Sequence, residues 1–306
     1  MNRRQVIKLS SLSLMALKFG HLLKSLRIEE MLRRPIPSTG EELPVIGLGT
    51  WLQFDVSISD PQTEQLTDVL KLLLKNGGTL LDSSPMYGRS EERIGDLCSR
   101  LDTVNDFFYA TKVWTSGKTS GIEQMKESLR KMRRQQMDLM QIHNLLDWRE
   151  HLDTLKDWKE KGLIRYIGIT HYTDSAHDEL ARIIRNEKAI DFVQFNYSIG
   201  NRHAERFLLD TAMERQVAVI INRPYEGGSV FSKTRGKSLP DLADEFGIKS
   251  WGQFVLKFIL SHPAVNVVIP GTSKTSHLLD NVQAGFGPMP DQHTREKMAN
   301  LYNNLK

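Results

Sequence analysis

The chain of 306 residues has one cysteine, Cys98, so no intrachain disulfide can form and no cysteine-based metal site can be built. Cys98 falls on the apolar side of a predicted helix and reads as core. No His-x-His pair or carboxylate cluster marks a metal, so none is expected and a metal-dependent barrel hydrolase is disfavoured, although Asp82, His143 and His171 leave different strands. Basic residues are scarce where nucleic acid would need them. The net charge is +4, but residues 1–34 hold eight Lys and Arg against two Glu, which leaves −2 for the remainder. No basic stripe remains to meet phosphates, so nucleic-acid binding is not expected. Long apolar runs are also missing. The stretch from Leu9 to Leu23 is interrupted by Lys18 and His21 and is too short for a transmembrane span.

What is present is a rhythm. With 40% hydrophobic and 25% charged residues, the chain has ordinary globular composition and ample core material. Residues 33–44 are rich in Pro and Gly and read as a linker that denies both helix and sheet. The expected organisation is an N-terminal segment over 1–34, a linker over 35–43 and a folded body over 44–306. From Pro44 onward, short apolar runs alternate with helical stretches. Strands are expected at 45–49, 79–81, 107–111, 137–142, 164–169, 191–195, 217–221 and 265–269. A longer insert over 225–240, with Tyr225, Glu226, Phe231 and several glycines, is placed where a lid would sit. A helical tail is expected over about 291–304.

Eight apolar strands alternating with helices predict a parallel sheet closed by right-handed crossovers into a single (β/α)8 TIM barrel of the α/β class, with an N-terminal extension and a C-terminal helical tail. An open doubly wound sheet would carry a glycine-rich turn after its first strand. Gly47-Leu48-Gly49 is followed by Leu52 where the third glycine belongs, so the glycines read as close backbone packing at a barrel mouth.

In such a barrel, sites are built from the C-terminal ends of the strands. Asp82 follows the second strand, with Tyr87 in its loop and Ser90 placed to cap the next helix. Lys112 follows the third strand and His143 the fourth. Singly, each reads as a satisfied rim residue; together they suit one chemistry. A carbonyl that accepts hydride becomes an alkoxide and needs a proton. Tyr87 is the candidate general acid. Its phenol, with an ordinary pKa of about 10, would be lowered by the Lys112 ammonium. Asp82 would hold Lys112 charged, and His143 would orient the substrate oxygen.

This Asp–Tyr–Lys–His set, together with Val45 to Trp51, Thr111 to Trp114, Gly162 to Ile169, Gln194 to Tyr197 and Ile269 to Lys274, resembles the aldo-keto reductase superfamily over most of residues 44–286. The resemblance implies an NADPH-dependent reductase of small aldehydes or ketones, NADH being possible, with the cofactor extended across the barrel mouth. It places Asp82, Gly49 and Thr50 near the cofactor, and the carboxamide-holding positions at Thr170, His171 and Gln194. Thr170 and His171 stand where the family has a Ser-Asn pair. After the seventh strand, Asn222-Arg223-Pro224 replaces a segment that often carries a stacking aromatic, so that the aromatic is either lost or supplied by Tyr225 from another angle. Gly271, Thr272, Ser273, Lys274, His277, Asp280 and Asn281 match the adenosine-phosphate segment, with His277 where an Arg often stands. Trp51 and Trp114 match substrate-pocket positions. The competing expectation is a non-catalytic nucleotide-binding barrel serving as sensor or subunit.

The N-terminus, with Arg3-Arg4 followed by Gln5-Val6-Ile7-Lys8, resembles a twin-arginine export signal and implies a periplasmic location; without it the location would be cytoplasmic.

Overall fold

The computed structural model describes residues 30–305. Of the N-terminal segment expected over 1–34, residues 1–29, with the expected export signal, lie outside the described residues, whereas Met31 to Arg34 belong to the folded unit, with Arg33 and Arg34 in its first strand. One compact unit runs from Met31 onward.

The unit opens with an antiparallel hairpin, β1 (Arg33–Pro35) and β2 (Glu42–Pro44). The eight barrel strands follow: β3 (Leu48–Gly49), β4 (Leu80–Asp82), β5 (Phe108–Val113), β6 (Met137–His143), β7 (Ile164–Thr170), β8 (Phe192–Asn196), β9 (Ala218–Asn222) and β10 (Val265–Val268). They are hydrogen-bonded in chain order, all parallel. Bridges from Ile46 to Val268 and from Gly49 to Gly271 close the ring. Gly49 is needed there, because an added Cβ would lie 2.9 Å from the Ile269 carbonyl oxygen. The helices that follow β3 to β8 are α1 (Gln62–Lys75), α2 (Ser90–Arg100), α3 (Lys118–Lys131), α4 (Trp148–Glu160), α5 (His177–Asn186) and α6 (Leu208–Glu214). After β9 come α7 (Ser229–Thr234), α8 (Leu242–Glu245) and α9 (Trp251–Leu260); α10 (Thr275–Gln283) and α11 (Gln292–Asn303) end the chain.

Strand alternation sorts the side chains into two cores. One set of residues, including Leu81, Tyr109, Ile142, Ile169, Val193 and Ile221, packs outward against the helices. The other fills the barrel: Leu80, Phe108, Ala110, Leu139, Tyr166, Phe192, Ala218, Ile220, Val267 and Ile269, together with Ile36 and Leu43 of the hairpin. The segment 35–43 is therefore not a linker. Its Pro and Gly sit at the edge and turn of a two-stranded ribbon, where neither interrupts a central ladder. Ile36 and Leu43, buried completely or nearly so, seal the N-terminal end of the barrel. Polar groups lock the plug: Thr39 Oγ1 lies 2.8 Å from the Tyr166 hydroxyl, which donates to Glu41 at 2.6 Å, and Asn266 Nδ2 donates to the Pro35 carbonyl at 2.9 Å.

Two further expectations change. Ser90 does not cap α2; its hydroxyl donates to the Thr50 carbonyl, and the helix starts one residue earlier. The 225–240 insert contains α7 and is pinned. Tyr225 packs on Phe231 with ring centroids 4.8 Å apart, and Glu226 accepts from Ser198 and Ser229. The tail helix docks through Arg295, whose guanidinium donates to the Tyr197 hydroxyl at 2.6 Å and to Glu205 at 2.9 Å.

Candidate active site

The same alternation that fills the barrel with apolar side chains turns polar at its C-terminal mouth. Phe108, Ala110 and Lys112 share one face of β5; Leu139, Gln141 and His143 share one face of β6; Phe192 and Gln194 share one face of β8. The topmost inward layer is thus a polar network in low-dielectric surroundings, where each partner counts for more than it would in water.

Lys112 is its centre. Its ammonium donates to Asp82 Oδ2 at 2.7 Å and to the Ser83 carbonyl at 2.6 Å, and sits 5.1 Å from the centroid of the Tyr87 ring. Both charged side chains are almost wholly buried. The other carboxylate oxygen of Asp82 accepts from Gln194 Nε2 at 2.8 Å and from Gln141 Nε2 at 3.1 Å. Thr50 secures the Asp82 backbone as well, its Oγ1 and its backbone N–H donating to the Asp82 carbonyl at 3.0 and 3.1 Å. Burial pulls the Lys112 ammonium down, but Asp82 and Tyr87 outweigh it and the net shift is upward, so the lysine stays charged.

Tyr87 stands on the loop after β4. Gly88 allows this turn: it takes φ +59°, and an added Cβ would be 2.3 Å from Asp55 Oδ1. That carboxylate accepts from the Arg89 backbone N–H at 2.9 Å. The Tyr87 ring meets the His143 ring edge-on, centroids 6.0 Å apart. Its pKa departs from the expectation. Burial raises it, Lys112 opposes, and the net shift is upward. Desolvation of a phenolate outweighs one ammonium that is already paired with a carboxylate. At neutral pH the phenol keeps its proton.

His143 is lowered to about 3 by burial first and then by the positive charge of Lys112. Its Nδ1 lies 3.0 Å from Ser84 Oγ. Trp114, 40% exposed, flanks it at 6.3 Å between centroids, while Trp51 is 57% exposed at the rim. Ser84, Gln141 and Ser83 were not singled out from the sequence. Gln141 was discoverable, being two residues before His143 and hence on the same strand face.

The depressed imidazoles have a stability consequence. His143 titrates near 3 in the fold against 6.5 in an open chain, and His262, buried beside Tyr197, titrates near 4. As pH falls below about 6.5 the unfolded chain takes up protons that the folded one refuses. The stability these neutral imidazoles support is complete above 6.5 and erodes down towards 3. Denaturant midpoints should therefore fall between pH 7.5 and pH 5; equal midpoints would contradict these assignments.

The positions expected to meet a cofactor divide into two sets. Thr170 Oγ1 donates to Gln194 Oε1 at 3.1 Å, and Asn222 Nδ2 donates to the same oxygen at 3.3 Å and to the His171 carbonyl at 3.2 Å. Asn222 Oδ1 is buried without a partner, a free acceptor at the mouth that fits a carboxamide N–H of a nicotinamide. The helix α10 begins at Thr275 after Lys274 with no side-chain cap, and Lys274 and His277 are exposed. Open N–H groups beside a free ammonium fit a phosphate. The residues present thus suit a nicotinamide dinucleotide at both ends. The others are engaged elsewhere. Thr50 is spent on Asp82 and Ser83, Thr272 on the turn at Lys274, Asp280 on Ser250 and Gln253, and Asn281 on the Tyr225 hydroxyl at 2.6 Å. Tyr225 is correspondingly turned to Phe231 and Asn281. Pro224 is buried, and Arg223, at φ +50°, carries its guanidinium 5.7 Å from the Tyr172 ring. His171 stacks on Tyr172, centroids 5.5 Å apart.

A closed eight-stranded parallel barrel with a buried lysine–carboxylate pair, a tyrosine and a neutral histidine at its mouth defines a class of barrel oxidoreductase. Residues 45–297 match the aldo/keto reductase family, and the chain belongs to that family and with it to the NAD(P)H-dependent reductases. An uncharacterized oxidoreductase of Bacillus subtilis, YqkF, is 24% identical over 83% of this chain and 91% of its own length. The methylglyoxal reductase YeaE of Escherichia coli is 24% identical over 82% of this chain and 89% of its own. Among solved structures, an aldo-keto reductase from Klebsiella pneumoniae in complex with NADPH superposes with a TM-score of 0.73 at 21% identity, covering 90% and 95% of the two chains. Among the described residues, no helix is long and apolar enough to cross a membrane.

Proposed function

We propose that the chain reduces a small aldehyde or ketone to the alcohol with NADPH, and that Tyr87 gives the proton. The observation that carries this reading is the Lys112 ammonium, shared between Asp82 at 2.7 Å and the Tyr87 ring at 5.1 Å. Bound NADPH supplies the hydride. As charge develops on the carbonyl oxygen, Tyr87 gives up its phenolic proton, and the phenolate left behind faces a permanent cation. Asp82, fixed by Gln141 and Gln194, keeps that cation from being neutralised or displaced. His143, neutral at working pH, presents the ring nitrogen not facing Ser84 as a donor to the same oxygen. Trp114 and Trp51 form the apolar rim of the pocket. Asn222, positioned by its bond to Gln194 beside Thr170, would meet the carboxamide through its free Oδ1, and Lys274 with the start of α10 would take the phosphate that distinguishes NADP from NAD. The relatives named above point the same way, one of them binding NADPH and another named for a small 2-oxoaldehyde.

The test is NADPH consumption on adding aldehydes, methylglyoxal and an aromatic aldehyde among them. Binding of NADPH without turnover of any carbonyl would replace this reading with a nucleotide-binding barrel that senses rather than reacts.

For the N-terminal segment the reading is export through the twin-arginine route to the periplasm, resting on Arg3-Arg4 and the weakly apolar stretch behind them. A reporter fusion carrying Arg3→Lys and Arg4→Lys should remain in the cytoplasm. Undiminished periplasmic signal would end this assignment.

A further inference from the structure

The barrel mouth holds a second cluster that the reductase chemistry does not use. Asp174, His177 and His203 bring one carboxylate oxygen and two imidazole nitrogens within 4.8 Å of one another. Asp174 and His177 lie on the 3-10 turn and helix start after β7; His203 lies on a 3-10 turn after β8, 26 residues further along. No sequence spacing announces the set, because its halves come from different loops.

The surroundings orient every member. Asn196, at the end of β8, accepts from His177 Nε2 at 3.1 Å through Oδ1, and its amide nitrogen donates to Asp174 Oδ1 at 2.5 Å. These two bonds fix the amide, and they place the His177 proton on Nε2, leaving a lone pair on Nδ1. That Nδ1 faces His203 Nδ1 at 2.9 Å. Asn201 Nδ2 donates to both Asp174 oxygens at 3.0 Å. His177 is completely buried, so its ring is held in this orientation by its neighbours rather than by solvent. Outer partners that set tautomer and carboxylate orientation are the usual support of a metal centre.

We propose that Asp174, His177 and His203 form a binding site for a divalent transition-metal ion, of which Zn2+ is the natural occupant, clipping the loop after β7 to the loop after β8. Two imidazoles and one carboxylate select a borderline cation over Mg2+ or Ca2+, which prefer all-oxygen sets. With metal–ligand distances of about 2.0–2.2 Å, tetrahedral ligands lie about 3.4 Å apart. The His pair would open by about 0.5 Å and the widest separation close by at most about 1.5 Å, motions within the reach of side-chain rotation. His203 would move its proton to Nε2, turning the exposed Arg206, now 3.3 Å from that nitrogen, out to solvent. Water completes the coordination from the adjoining cavity of about 310 Å³, which Asp174 lines with Tyr172, Asn201 and Arg223. The occupied site ties together two of the loops that rim the mouth, near His171.

The experiment is a Co2+ titration of the metal-stripped full chain, read by visible d–d absorption, followed by Zn2+ competition and thermal denaturation. One equivalent of Co2+ should bind with the intense bands of a low-coordinate nitrogen–oxygen site, Zn2+ should bleach them, and Zn2+ should raise Tm. His203→Ala should abolish the bands, and Asn196→Ala should weaken binding roughly 10- to 100-fold. NADPH binding by His203→Ala serves as the folding control, with the isosteric Asp174→Asn as a second variant that should also lose the bands. A wild-type chain that gives no bands, or bands that survive in both His203→Ala and Asp174→Asn, would overturn the proposal.

Discussion

Replacing Tyr87 by Phe is expected to lower kcat for aldehyde reduction by about 10²- to 10⁴-fold, the usual contribution of a positioned general acid, while the Kd for NADPH stays unchanged. The substitution removes one oxygen and leaves the ring that packs edge-on against His143. The loop should therefore hold, because Gly88 and the Asp55–Arg89 contact fix it independently of the hydroxyl. Steady-state kinetics with one aldehyde, together with fluorescence titration of NADPH, separates the two quantities. A Phe variant with wild-type kcat would remove Tyr87 from the chemistry. The upward shift of the phenol also fixes the pH behaviour of the donor. A phenol pushed up by burial stays protonated across the neutral range, so reduction should not decline as pH rises from 6 to 8 through loss of this proton.

Lys112→Met should have two large effects at once. It removes the cation that faces the phenolate, so turnover should fall at least as far as in Tyr87→Phe. It also leaves the Asp82 carboxylate, 2% exposed, without its counter-charge. Breaking a buried ion pair from one side typically costs about 3–5 kcal/mol, because the surviving charge remains desolvated. Asp82→Asn should destabilise for the mirror reason, stranding the ammonium. The double variant, Asp82→Asn with Lys112→Met, should recover much of the loss, since neither charge remains buried. Denaturant unfolding of the four proteins measures the coupling. A double variant whose loss equals the sum of the singles would mean that the pair does not act as a unit. Activity should not recover with stability, and that separates the chemical role of Lys112 from its structural one.

Much of the barrel was legible in the sequence because a buried parallel strand is a local pattern. Each strand expectation from β4 to β10 lands within about two residues of the structure, since a short apolar run bounded by turn residues leaves few other options. The candidate site was legible for a related reason. Once eight strands are parallel, their C-terminal ends share one mouth, and Asp82, Lys112 and His143 must converge there. Tyr87 follows because a loop of only a few residues cannot carry it far from Asp82.

What failed was whatever depends on contacts distant in sequence. Residues 35–43 looked like a linker because Pro and Gly were read without knowing that Ile36 and Leu43 would meet Phe108, Tyr166 and Phe192. That Asp280 is bonded to Ser250 and Gln253, and Asn281 to Tyr225, was likewise invisible, because those partners lie 27 to 56 residues away. The downward shift expected for Tyr87 had the right neighbour and the wrong sign, because the desolvation that decides it is a property of the closed mouth. The Asp174–His177–His203 cluster is the extreme case, assembled from two loops with no shared motif.

The amino-acid order by itself settled the number and direction of the strands and brought Asp82, Lys112 and His143 to their ends with Tyr87 in the loop beside them, since both follow from short apolar runs bounded by turn residues and from the geometry of any closed parallel barrel. Only the tertiary structure decided which polar side chains are free and which are already bonded, which proton His177 carries, and how far each ionisable group is from water. Those are sums over neighbours from many strands, and no stretch of sequence contains them.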